Sequence, residues 1–318
     1  MLRFFSEYSI LTVFLVPLMV VGFVVLNLMF PYFEITSEVD LGLWGKLTNV
    51  NPILKTSLGG FMILLNALLI NFIFNTQKIY DKVIFFPGFI YIVWMSLFEV
   101  MYNPDGFLIT HTLFLLLLNQ IFQLNQNEDG RKYVFNSALF AGLATCFHPI
   151  FGVIIPFLFL MVWVLRPFVV RESMILLIGF TIPLMYAVTA MLIFNNWYVW
   201  DFKFDSYSFQ HKSLDVIAVG VTSLVFFVIS FIGVQAKLQK SSIRFRKLTR
   251  ILWFLFFFAL VIGIINMFLF QTLENFSLIF AILCFFSVFA FVKKPLSTFT
   301  EGLFLLIIIA SLLKFFIR

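Results

Sequence analysis

The chain has 318 residues, 62% of them hydrophobic, 20% aromatic and only 11% charged, and Phe alone occupies 48 positions. With a mean hydropathy of +1.07, it carries more apolar side chain than one aqueous core can absorb, which excludes cytosolic Rossmann-type or barrel enzymes and disulfide-stapled secreted modules. The formal net charge of +6 has the sign that basic residues flanking membrane spans produce, so nucleic acid is not an expected partner.

A helix needs about 20 apolar residues to cross the hydrocarbon core of a bilayer. Polar interruptions divide the chain into about eleven such segments: 10–30, 56–75, 83–101, 107–124, 134–148, 150–166, 173–194, 215–235, 251–270, 276–292 and 301–317. The expected fold is an all-α, polytopic transmembrane helical bundle that forms one integral membrane domain over 1–318, since too few residues remain for a soluble unit. The opening MLRFFSEYS leads into the first segment with no early small-residue cleavage site, which reads as an uncleaved span. Cys146 and Cys284 lie inside apolar runs and read as small buried hydrophobes. His148-Pro149 marks either a tight turn between two spans or a proline kink in a longer helix.

Lys and Arg counts set the orientation. With the N-terminus cytoplasmic, the inner loops collect fifteen of the 21 basic residues, and the run Lys237 to Lys247 reads as a topology anchor touching anionic headgroups. Acids distribute the other way: Glu34, Glu38, Asp40, Glu99, Asp105 and Glu274 are among nine expected at or near the outer side. The Phe, Ile, Leu and Asn excess suggests an AT-rich genome and hence a bacterial inner membrane.

The two longest outer loops, 31–55 and 195–215, are the expected working face. Glu38 and Asp40 form a closely spaced pair in the first. Such a pair can hold a divalent cation, or leave one acid as base while the other orients a partner. Asp105 sits in the turn Asn103-Pro104-Asp105-Gly106, where a turn role and a site role are both open. His111, inside a span, is either a satisfied interhelical hydrogen-bonding group or a functional group, and His148 can line the mouth of a cavity. In the loop 195–215, Trp197 and Trp200 belong either to an interfacial aromatic belt or to a lid stacking on sugar rings, with Lys203, His211 or Lys212 pairing with a phosphate. No Gly-rich phosphate loop, Ser-His-Asp set or zinc-ligand spacing occurs in the sequence.

Residues 102–124, YNPDGFLITHTLFLLLLNQIFQL, are followed by a short polar loop and then by FNSALFAGLATCFHPIFGVIIPFLFLMVWVLRPF over 135–168. This stretch resembles the central part of the GT-C superfamily of polytopic lipid-linked-sugar glycosyltransferases, in which an acid opens a span and a small-residue helix ends in Lys-Pro. Asp105 takes the acidic place, Ala141-Gly142-Leu143-Ala144 the small-residue place, and His148-Pro149 stands where Lys-Pro is common. Glu38 and Asp40 are similar to the acidic motif of that superfamily's first outer loop. Residues 1–168 would then be the GT-C-like part and 169–318 additional spans.

The resemblance implies inverting sugar transfer from a polyprenyl-phosphate donor at the outer face of the inner membrane. Asp40 or Glu38 would act as base, Asp105 would orient the acceptor or a metal, and His148, His211, Lys203 or Lys212 would neutralise the departing phosphate. The overall profile also resembles Phe-rich inner-membrane proteins of Bacteroidota, a likeness that implies no reaction. Two further readings stay open: a non-catalytic subunit that packs against another membrane protein of an envelope complex, and a transporter or flippase.

Overall fold

The structure is a computed structural model and describes residues 10–126, 129–166, 169–194, 213–239, 241–270, 272–292 and 298–316. These form eleven α-helices: α1 (Ile10–Met29), α2 (Pro52–Thr76), α3 (Phe86–Met95), α4 (Gly106–Leu124), α5 (Arg131–Phe147), α6 (Ile154–Leu165), α7 (Val170–Phe194), α8 (Ser213–Leu238), α9 (Ile243–Phe270), α10 (Ser277–Phe291) and α11 (Thr298–Leu313). A short hairpin, β1 (Val39–Asp40) against β2 (Lys46–Leu47), is the one sheet among the described residues. Among the described residues, six helical segments are long and apolar enough to cross a membrane. The fold is thus all-α, and each helix falls on one of the apolar segments of the sequence.

Local chemistry sets the helix ends. Asn51 caps α2 through its side chain, with Pro52 in the first helical position, and Asp105 caps α4. Pro149 disfavours helical backbone at the residue before it, so His148 is extended and α5 stops at Phe147. A 3-10 turn, Pro149–Val153, then leads into α6, which makes the His-Pro site a break between two helices.

The segment 83–101 departs most from expectation. Its helix, α3, has ten residues and rises about 15 Å, roughly half the hydrocarbon thickness. Every residue of α3 is buried. Irregular backbone at membrane depth is tolerated where protein encloses it, and here α1, α2, α10 and α11 pack around α3. Aromatic stacking secures the packing, with Trp94 on Phe280 at 4.2 Å and Phe86 between Phe291 and Phe304.

The helices alternate between two ends of the bundle. At one end, Arg244 reaches Gln77 at the end of α2, Lys237 approaches Asp81 at 3.5 Å, and Lys247 bonds the Leu165 carbonyl. The first loop and residues 96–105 meet at the other end.

The most extensive helix contact is α5 on α7. A Cβ on Gly142 would lie 2.4 Å from the Phe180 carbonyl oxygen of α7, and one on Gly179 would lie 2.8 Å from the Phe135 carbonyl oxygen of α5. Reciprocal glycines thus let the two backbones touch, as small residues do in membrane bundles. We predict that Gly142→Ala lowers stability by about 1–3 kcal/mol through overpacking. Gly302→Ala, where nothing lies within 4 Å, should leave it unchanged or slightly higher. Melting temperatures of the two variants in detergent check this, and equal shifts would refute it.

Candidate functional site

The site is built where the first loop folds back on the bundle. In the hairpin, Val39 pairs with Leu47 and Asp40 with Lys46. Its turn contains Gly42 at φ +64°, where a Cβ would meet the Phe147 carbonyl oxygen at 2.3 Å, so glycine is required both by the backbone and by the contact with the end of α5. Asp40 Oδ1 accepts a hydrogen bond from Gly42 N at 2.8 Å. Its other oxygen lies 3.9 Å from Lys46 Nζ, with both side chains about half exposed, an ion pair of little energetic weight.

Two buried polar side chains bind the loop down. Lys55, only 2% exposed in the first turn of α2, donates to the Thr36 carbonyl at 3.0 Å, Thr36 Oγ1 at 2.8 Å and the Glu38 carbonyl at 2.6 Å. An ammonium has three donors, and all are used. Asn103 Nδ2 donates to the Glu34 carbonyl and to Glu99 Oε1 at 2.8 Å, while its Oδ1 accepts from Thr36 N at 3.1 Å.

A polar pocket of about 200 Å³ results, lined by the acids Glu38, Asp40, Glu99, Asp105 and Glu274 with Lys55 and Lys46. Glu99 begins the 3-10 turn Glu99–Met101 that follows α3, and Glu274 begins the turn Glu274–Phe276 that leads into α10. Both carboxyls line this pocket, where like charges at close range repel one another and one shared proton relieves the repulsion. Glu99 and Glu274 also line a second, larger cavity of about 520 Å³ whose wall is otherwise dominated by apolar side chains such as Phe98, Phe227, Phe256 and Phe280. A small acidic pocket and a large apolar cavity therefore meet at one carboxyl pair.

Asp105 has two tasks. Its Oδ1 accepts from Phe107 N at 3.0 Å and Leu108 N at 3.2 Å, capping α4. Burial pushes its pKa up to about 6, with the Asp40 charge adding to the rise and the two N–H bonds opposing it. A carboxyl poised there can take up a proton near neutral pH.

Of the residues singled out in the sequence, the structure brings Glu38, Asp40 and Asp105 into one pocket. His111 is fully buried between Tyr91 Oη at 3.2 Å and Ser277 Oγ at 3.4 Å and does not line it. His148 lies against Phe107 with its Nε2 3.5 Å from Asn266, also outside the pocket lining. Trp197, Trp200, Lys203, His211 and Lys212 fall outside the described residues. Glu99 and Glu274 entered the sequence reading only as outer-side acids, and Lys55 and Asn103 had no assigned role. Their signal was the shared side of the membrane expected for all five acids. Among the described residues, no three His, Cys, Asp or Glu side chains are grouped as metal ligands.

Fold and site together define an all-α protein with helices long and apolar enough to cross a membrane and an acidic pocket beside an apolar cavity. No family model, curated protein or solved structure matches the chain.

The Asp105 environment has a measurable consequence. Its folded pKa of about 6 lies above the unfolded value of 3.8, so the folded state holds more protons between those values. Stability from this group is present at low pH and falls as pH rises through the window. The infrared carboxyl band should show a component titrating near pH 6 that vanishes in Asp105→Asn. A spectrum unchanged by that substitution would refute the assignment.

Proposed function

We propose that the chain is a GT-C-like membrane glycosyltransferase, moving a sugar from a polyprenyl-phosphate donor to a lipid, glycan or protein acceptor at the outer face of a bacterial inner membrane. In this reading the chain crosses the membrane about eleven times with its N-terminus cytoplasmic and its acidic end outside. The observation that carries it is the meeting of the acidic pocket and the apolar cavity at Glu99 and Glu274. A lipid-linked sugar needs both environments at once, an apolar channel for its chain and carboxylates for the reacting hydroxyl.

Among the acids, Asp105 is the best-placed base, because its pKa near 6 leaves it ionised and still basic at neutral pH. Asp40 already holds its hairpin turn. The acceptor hydroxyl gives its proton to the Asp105 carboxylate, and its oxygen attacks the anomeric carbon. The bond from that carbon to the phosphate oxygen breaks with inversion, and polyprenyl phosphate leaves with the bonding electrons. Lys55 contributes fixed positive potential beside Asp105, Glu99 and Glu38. Lys203, His211 and Lys212 are the candidates to neutralise the leaving phosphate, and Trp197 and Trp200 to stack on the sugar.

The test is transfer from a panel of polyprenyl-phosphate sugars by the full chain in proteoliposomes. Asp105→Asn, which keeps the cap, should lower the rate about 10²–10⁴-fold, and the wild-type rate should rise with pH to a plateau above about 6. No turnover of any donor, or a rate untouched in Asp105→Asn, would return the chain to a non-catalytic subunit or a transporter.

A further inference from the structure

Lys314 follows α11 and is the one cation among the described residues lining the apolar cavity. Its Nζ donates to the Ser96 carbonyl and, at 3.3 Å, to Tyr102 Oη. The rings of Tyr32, Phe33, Tyr102 and Phe315 enclose it, their centroids 4.6–5.5 Å away. Among the described residues no carboxylate forms an ion pair with it. An ammonium in an apolar setting without a counter-charge is costly, and ring faces and neutral acceptors offset only part of that cost.

The cavity beside this cation has the volume of a ligand site. Gly220 and Leu224 of α8 and Ala310 of α11 line it and are exposed, which places its mouth between those two helices on the flank of the bundle. An opening on an apolar flank admits a chain from the bilayer, and the missing counter-charge specifies the head group. We propose that this cavity binds a long-chain lipid phosphate, its hydrocarbon chain along the apolar wall and its phosphate on Lys314. The Glu99 and Glu274 pair at the junction with the acidic pocket then accepts hydroxyl hydrogen bonds from whatever the phosphate carries. The inference concerns binding and extends the transferase reading by naming the group that seats the phosphate, yet it stands if no sugar is transferred.

The experiment is equilibrium binding of radiolabelled lipids to the full chain in nanodiscs of neutral lipid. Polyprenyl phosphate is compared with polyprenol, and lysophosphatidate with monoacylglycerol. At least one phosphate should bind ten or more times tighter than its uncharged counterpart, and the tighter pair tells an isoprenoid from an acyl lipid. Lys314→Met should abolish that preference and Lys314→Arg should keep it. Equal affinity for charged and uncharged lipids, or a preference that survives Lys314→Met, overturns the proposal. If Lys314→Met does not fold, Ala310→Trp, which plugs the mouth, should lose the phosphate, and undiminished binding there overturns it equally. No turnover of any donor, or a transfer rate untouched in Asp105→Asn, with phosphate binding intact overturns the catalytic reading alone, so the two failures are separable.

Discussion

The architecture of the acidic end depends on one buried ammonium. Lys55 lies in the first turn of α2 with all three donors committed to Thr36 and the Glu38 carbonyl. A lysine so placed tolerates no partial satisfaction, because each unmade bond leaves a desolvated donor on a charged group. The first loop therefore follows α2 instead of running free in solvent. Glu38 and Asp40 come with it to the mouth of α4, where Asp105 waits as the helix cap. The pair Glu38 and Asp40 joins the sequence-remote Asp105 in one pocket because a single cation and Asn103 tie the loop to the bundle.

The second constraint is the shortness of α3. Helix geometry ends at Met95, and the backbone beyond it is held from outside the segment: Tyr102 Oη and Lys314 Nζ both donate to the Ser96 carbonyl. That carbonyl belongs to the helix C-terminus, where acceptors lack partners within the helix. Ending the helix early lets Leu97 and Phe98 turn and places Glu99 at the boundary between acidic pocket and apolar cavity. A continued helix would have carried Glu99 elsewhere. The irregular stretch is affordable at this depth because protein surrounds α3 on all sides.

Much of the fold was legible in the sequence, because a run of about 20 apolar residues is a signal of length alone and needs no tertiary context. The acids Glu38, Asp40 and Asp105 were legible for a related reason: charge in so apolar a chain must gather at helix ends. The end of α3 was not legible, since the apolar character continues through Ser96-Leu97-Phe98 and one donor that satisfies the Ser96 carbonyl, Lys314, lies 218 residues away. Lys55 was hidden likewise, its partners being main-chain oxygens of a loop whose path no local pattern fixes. Glu99 and Glu274 show the limit between the two cases. Their expected side of the membrane follows from topology, whereas their meeting at the boundary of the two cavities follows from packing.

The claim on which the account rests is geometric: the first loop is folded onto the bundle by Lys55, and the acidic pocket and apolar cavity share Glu99 and Glu274 as a common wall. An electron cryo-microscopy map of the protein in a lipid nanodisc tests it most directly. The account predicts Lys55 density joined to the backbone at Thr36 and Glu38, with the Glu38, Asp40 and Asp105 carboxyls within about 10 Å of one another. A loop lifted from the bundle, with Lys55 in solvent and those carboxyls scattered over a closed surface, would contradict it.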